Sequence, residues 1–220
     1  MCNFLENLEA HSIKSNQTNK LDEIDKEIEN SSIWLEKKSF RLALIGIFSA
    51  LSIILGYMLI ELTNIELVTL MIFLSGFIMG RRDGMIVGFL SSSIFCFFNP
   101  YGSYLPLYAF QLVHYTITGL LGALSKQFLR ARKVLREKEE FYTVSKMIFF
   151  GSLGFMITTS FQVFAALVDV LTNYATIKAF IPYFFNPVAF PFTVIHLVGN
   201  TLGFIFILPG LIQLVQKMIY

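Results

Sequence analysis

The sequence predicts an all-α, polytopic membrane protein with six transmembrane helices and both termini in the cytoplasm. Three observations predict it. Hydrophobic residues make up 55% of the chain and charged residues only 15%, with a mean hydropathy of +0.65, more apolar surface than a soluble domain of 220 residues can bury. A spanning helix needs about 20 mainly apolar residues, and that ruler yields six candidates, at residues 40–60, 65–80, 84–99, 104–125, 144–172 and 190–216. Charge is also sided. With six spans and a cytoplasmic N-terminus, every one of the 17 lysines and arginines except Lys178 falls on the inner side, as the positive-inside rule requires of short loops. Five or seven spans would break that pattern.

The elements follow in chain order. Residues 1–39 form a polar cytoplasmic tail of mixed charge with no signal-peptide apolar region. Within it Leu21, Ile24 and Ile28 have the spacing of a short amphipathic helix, and Trp34, the only tryptophan, stands where an indole suits the headgroup layer. Residues 40–220 form the membrane-embedded domain. Its second and third spans are short, separated only by Arg81, Arg82, Asp83 and neighbouring glycines. The linker KQFLRARKVLREKEEF between spans four and five is dense in both charge signs. It is expected to extend those helices beyond the bilayer, to form local ion pairs and to touch anionic lipid. Small residues recur four apart at Gly46/Ala50, Gly76/Gly80, Gly84/Gly88, Gly119/Ala123 and Gly199/Gly203, a spacing that lets helix backbones approach closely in lipid. Most are expected to serve internal packing, with one or two facing a partner. Cys2 and Cys96 lie on opposite sides of this layout, so no disulfide is expected, and neither has metal-type spacing.

The unusual polar residues all fall in the outer half. His196 and Asn200 interrupt the apolar run of the sixth span at i and i+4, on one helix face. Asp169 and Asn173 lie near the outer end of the fifth, with Gln162 and Ala166 continuing that face inward. In the fourth span Tyr104, Tyr108, Gln111, Tyr115 and Thr118 form a stripe, with His114 beside it. Asn99 closes the third span and opens the turn NPYG, which contains Tyr101, while Glu61 and Glu66 bracket the first outer loop. An ionisable group at a helix centre costs about 2.5–3.5 kcal/mol on insertion scales. Each such residue alone reads either as interhelical glue or as a ligand contact. Polar groups of three helices converging at one depth favour a cavity open to the outside, and they lack the graded depths of a proton wire. Asp169 has no basic residue at its depth apart from Lys178, and Asn173 and His196 are its expected hydrogen-bond partners. Outer aromatics, among them Tyr183, Phe184 and Phe185, supply an interfacial belt and surfaces for a flat ring.

Catalytic and nucleotide motifs are missing. GxxxxGK[ST], HExxH and GxSxG do not occur, and His114, Asp169 and His196, spread over three helices, carry no metal signature. No cofactor, no metal and no nucleic-acid partner is expected, and the chain is not expected to be an enzyme.

Residues 66–124, ELVTLMIFLSGFIMGRRDGMIVGFLSSSIFCFFNPYGSYLPLYAFQLVHYTITGLLGAL, resemble the substrate-binding S components of energy-coupling factor transporters. The likeness rests on ELVT opening a short second span, on glycines four apart across the cytoplasmic turn, and on NPYG ending the third. LVDVLTN followed by IHLVGNTLGFIFILPG resembles the last two spans of that family, so the likeness covers residues 40–216. It implies a six-helix protein of the prokaryotic plasma membrane that captures a vitamin, a vitamin precursor or a transition-metal ion from outside. Such a protein hands its cargo to a transmembrane coupling protein driven by two ATPases. It implies a pocket at the outer side, with Glu66, Asn99, Tyr101, Tyr108, Gln111, His114, Tyr115, Asp169, Asn173, His196 and Asn200 as substrate-binding candidates. It also implies docking through a small-residue motif of the first span, for which Gly46-x-x-x-Ala50 stands where Ala-x-x-x-Ala is usual. Aromatics and acids would suit a thiamine-like or flavin-like ring.

Two other readings are distinguishable. A six-span scaffold or cell-shape protein would need no polar outer pocket, so Asp169 and His196 would matter for stability alone. An intramembrane enzyme using His196 with Asp169 would turn over without ATP-driven partners.

Overall fold

A computed structural model describes residues 37–59, 67–100, 104–132, 141–173 and 176–219. Among these residues every regular element is helical: α1 (Lys38–Met58), α2 (Val68–Met79), α3 (Arg81–Phe97), α4 (Leu105–Ala131), α5 (Val144–Asn173), a 3-10 turn (Ile177–Ala179), the short α6 (Phe180–Phe184), α7 (Phe190–Leu202), a π-helical segment (Gly203–Ile207) and α8 (Leu208–Ile219). Each of the six expected segments is a helix. The last is one continuous rod, α7 passing through the π segment into α8.

Four of these helices, α1, α4, α5 and the Phe190–Met218 rod, are long and apolar enough to cross a membrane. The other two differ. The 12 residues of α2 rise only about 18 Å at 1.5 Å each, against about 30 Å of hydrocarbon, and α3 opens on the charged Arg81-Arg82-Asp83 turn. The shortness of α2 has a packing counterpart. Every residue from Val68 to Ile78 is buried, so α2 is apolar on all sides because it is the axis of the bundle, enclosed by α1, α3, α4 and α8.

Helices α2, α3 and α4 touch through their backbones. A Cβ on Gly76 would overlap the carbonyl of Gly119, one on Gly119 would overlap the carbonyl of Gly84, and one on Gly84 would strike the Gly76 Cα. Most of the four-spaced small residues are consumed in this way. At Gly46, by contrast, a side chain would meet nothing, and both Gly46 and Ala50 are exposed. The α2–α3 turn needs Gly80, whose φ of 103° is left-handed territory.

Polar ties fix the end of the bundle at the α2–α3 turn. Arg41 of α1 grips Asp83 of α3 through two hydrogen bonds of 2.8 Å each, a bidentate pair around a buried carboxylate. Lys126 of α4 donates to the Ile78 carbonyl at 3.2 Å, satisfying one of the orphan acceptors at the end of α2. Arg81 also bonds Gln127. Helix α4 runs six residues past its expected end at 125, as the extended linker requires, and Arg132 lies over the Phe128 ring at 5.3 Å. The ion pairs expected at 133–140 lie outside the described residues. So does the tail up to residue 36, with its amphipathic stretch and Trp34; α1 begins at Lys38, two residues before the expected boundary.

The rod buries a series of side chains four residues apart, His196, Asn200, Phe204, Leu208 and Ile212, with Gly203 and Pro209 buried beside them. The widened π turn Gly203–Ile207 lies in the middle of that series, and the Tyr142 hydroxyl donates to the Phe206 carbonyl there at 3.0 Å.

Candidate functional site

Two polar constellations occupy the C-terminal part of α5, facing α7 and α4. They share one stripe, Thr158, Gln162 and Asp169, spaced by four and seven residues, which keeps them on one face of a helix. The inner constellation centres on His196, which is 3% exposed. Its Nδ1 lies 2.6 Å from Nε2 of Gln162 and its Nε2 lies 3.0 Å from Nδ2 of Asn200, which also donates to Thr158 Oγ1 at 3.1 Å. A neutral imidazole donates from one nitrogen and accepts at the other: with the Asn200 amide donating to Nε2, the Nδ1–H is satisfied when the Gln162 amide turns its oxygen towards it. The i, i+4 spacing of His196 and Asn200 is therefore a direct contact.

The outer constellation centres on Asp169. Tyr104, at the start of α4, donates to Oδ1, and Tyr183, on α6, donates to Oδ2 at 2.9 Å. The carboxylate thus ties together the mouths of α4 and α5 and the segment that follows α5. The expected partners of Asp169 were Asn173 and His196, and neither fills that place. Asn173 is exposed and donates to the Asp169 backbone carbonyl at 2.9 Å, while His196 is engaged by the inner constellation. A carboxylate half-enclosed in an aromatic collar takes the nearest hydroxyl donors.

Between the two lies an aromatic floor. Phe161 sits 5.1 Å from the His114 ring and 6.0 Å from that of His196, and Phe110 lies 5.7 Å from His114. A partly open groove of about 350 Å³ runs between α4 and α5 here, lined by Phe110, His114, Thr118, Ile157, Ser160 and Phe164 among others. Gln111 Oε1 is buried with no hydrogen-bond partner.

The remaining candidates separate. Tyr108 turns towards α3, donating to the Ser93 carbonyl at 3.3 Å. Tyr115 is enclosed in the core, 1% exposed, with its backbone against Gly88, and Thr118 bonds the His114 carbonyl. The tyrosine stripe of α4 therefore divides among three neighbours. Asn99 lies half-buried at the end of α3. Glu66 and Tyr101 lie outside the described residues, as does Glu61. Sequence reasoning did not single out Thr158, Phe161 or Phe110. Extending the Gln162 face one further turn inward would have found Thr158, whereas the two phenylalanines are indistinguishable by type from many others in the chain. Among the described residues, no three histidine, cysteine, aspartate or glutamate side chains gather at one point.

Comparison with known proteins gives one family. A family model described as the ECF-type riboflavin transporter, S component, matches residues 37–216. No curated protein and no solved structure matches the chain.

Proposed function

The chain belongs to the S component family of energy-coupling factor riboflavin transporters, and on that premise we propose that it captures a flavin, riboflavin itself or a close relative, at the outer face of a prokaryotic plasma membrane. The family match over residues 37–216 carries this reading. S components are substrate-binding subunits and not enzymes, which agrees with the missing nucleotide and hydrolase motifs in the sequence.

In this reading all six helices cross the bilayer with both ends inside, α2 and α3 as short crossings. The flat ring rests on the floor of Phe110, His114 and Phe161, and Gln111, Gln162 and His196 supply the polar edge. The groove of about 350 Å³ beside this floor shares Phe110 and His114 with it. Asp169, Asn173 and Asn200 extend the contact surface along α5 and α7. Glu66, Asn99, Tyr101 and Tyr108 close on the ligand from the outer loops and helix ends, and Tyr115 supports α4 from within the core. Ligand binding must favour a closed arrangement by differential affinity, since a ligand cannot shift an equilibrium between states it binds equally.

Handoff is proposed to occur through α1 to a transmembrane coupling protein with two ATPases. Gly46 and Ala50 are exposed, flanked by the outward-facing Leu42, Ile47, Leu51, Ile54 and Met58. A stripe of small residues between larger apolar ones is the surface against which another helix packs closely in lipid.

The test is native mass spectrometry of the purified protein in detergent, before and after incubation with a vitamin panel. A flavin mass retained by the wild type, and lost from a folded Asp169→Asn, His196→Ala variant, supports the reading. A wild type that retains nothing from the panel overturns it in favour of a scaffold.

A further inference from the structure

We propose that Asp169 is the specificity-determining residue for the hydroxylated chain of the ligand, its two oxygens held by phenols that ligand hydroxyls replace. The inference rests on the flavin reading above and adds to it which part of the ligand is read, and by what.

Three observations carry it. Each oxygen of the carboxylate accepts one neutral O–H donor, Tyr104 on Oδ1 and Tyr183 on Oδ2, from two different elements. Among the described residues the one ion pair is that of Arg41 with Asp83, so none of the described cationic side chains pairs with Asp169. A carboxylate held by two hydroxyl donors can exchange one for a ligand hydroxyl without changing either its charge or its count of hydrogen bonds. An ammonium-type ligand would instead change the charge of the mouth.

The second observation concerns which donor yields. Tyr183 belongs to the five-residue α6, flanked by a 3-10 turn and by residues 185–189, a segment whose side chains are largely exposed. Tyr104 adjoins the long, packed α4. Moving Tyr183 displaces a short surface segment, whereas moving Tyr104 displaces a spanning helix, so Tyr183 is the donor that gives way.

The third is distance along the helix. Asp169 lies seven residues outward from Gln162 on the same face, a rise of about 10.5 Å at 1.5 Å per residue. A tricyclic ring against the Phe161 floor, near Gln162 and His196, therefore directs its polyol substituent along the stripe towards Asp169. The exchange is chemically specific: a ring that lacks the polyol leaves the two phenols in place.

The experiment is a fluorescence titration of the purified full-length protein in detergent with two flavins of identical ring, riboflavin and lumiflavin, the latter carrying a methyl group in place of the polyol. The wild type is expected to prefer riboflavin by at least about tenfold, because the released Tyr183 phenol returns to water on its exposed segment while the polyol hydroxyl takes its place on the carboxylate. Asp169→Asn is expected to lose most of that preference by weakening riboflavin, with lumiflavin affinity unchanged within about twofold. Tyr104→Phe/Tyr183→Phe keeps the carboxylate and removes its internal donors, so it is expected to hold riboflavin as tightly as the wild type or more tightly. Equal weakening of both flavins by Asp169→Asn, or loss of riboflavin binding in the tyrosine double variant, overturns the assignment and returns Asp169 to a purely structural role. A wild type that binds both flavins equally also overturns it while leaving the flavin reading intact. A wild type that binds neither overturns both together.

Discussion

At the scale of single residues, burial separates groups that the sequence presents alike. Asn173 and Asn200 both lie in the outer half of a spanning helix, yet Asn200 is 4% exposed and bridges His196 and Thr158, while Asn173 is exposed and bonds only a carbonyl of its own helix among the contacts resolved. Asn200→Leu, which keeps the volume and removes both bonds, is expected to lower stability by about 1–3 kcal/mol by unpairing a buried imidazole. Asn173→Ala is expected to change it by less than about 0.5 kcal/mol. Thermal unfolding of the two variants in one detergent checks the contrast, and equal shifts would contradict it. The same logic applies to glycine. Gly119→Ala drives a methyl into the Gly84 carbonyl and is expected to cost about 1–3 kcal/mol or prevent folding, whereas Gly46→Ala, which meets open space, should leave the unfolding temperature of the isolated subunit unchanged.

At the scale of elements, the positions of all six helices were legible because an apolar run bounded by charge or glycine leaves few alternatives in lipid. What was not legible was which faces meet. Nothing in the text of α2 distinguishes an enclosed axis from a lipid-facing helix, because its residues are apolar in every direction and periodicity has nothing to report. Its enclosure follows from glycines on three different helices, a coincidence in space that a linear sequence does not display. The partners of Asp169 were hidden for a related reason: Tyr104 precedes it by 65 residues and Tyr183 follows it by 14, and the chain offers nine tyrosines. The enclosure of α2 makes a direct prediction. With Cys2 and Cys96 replaced, a single cysteine at Phe73 should resist a membrane-permeant maleimide that labels one at Ile47 on α1. Comparable labelling would place α2 at the lipid boundary.

At the scale of the whole molecule, the two ends of the bundle are built differently. The inner end is clamped by the Arg41–Asp83 pair, the Lys126 cap and backbone contact among α2, α3 and α4. The opposite end is held through side-chain hydroxyls and amides, those around Asp169 and His196. That asymmetry suits a subunit that opens outward while presenting a constant inner half to its partners. Reporter fusions should place residue 220 and the linker at 133–140 on the cytoplasmic side and residues 177–189 outside; a C-terminus on the outer side would refute the six-span layout. Gly46→Leu should leave flavin binding by the isolated subunit intact and abolish its co-purification with the coupling complex, whereas a merely structural role for that face would leave the complex whole.

The π turn at Gly203–Ile207 has a genetic consequence. Successive residues of an α-helix advance by about 100°, so positions spaced by four drift by about 40° each time, and a plain helix from His196 to Ile212 would point its two ends in nearly opposite directions. The wide turn absorbs much of that drift, letting the polar outer half and the apolar inner half look into the same interior. It does so by holding one residue of slack. Point substitutions in Gly203–Ile207 are therefore expected to be tolerated more often than a single-codon deletion, which would swing Leu208 and Ile212 out towards lipid while His196 and Asn200 stayed behind. A reading-frame-preserving deletion scan across residues 196–214, scored by flavin binding, should show its deepest loss at those five codons.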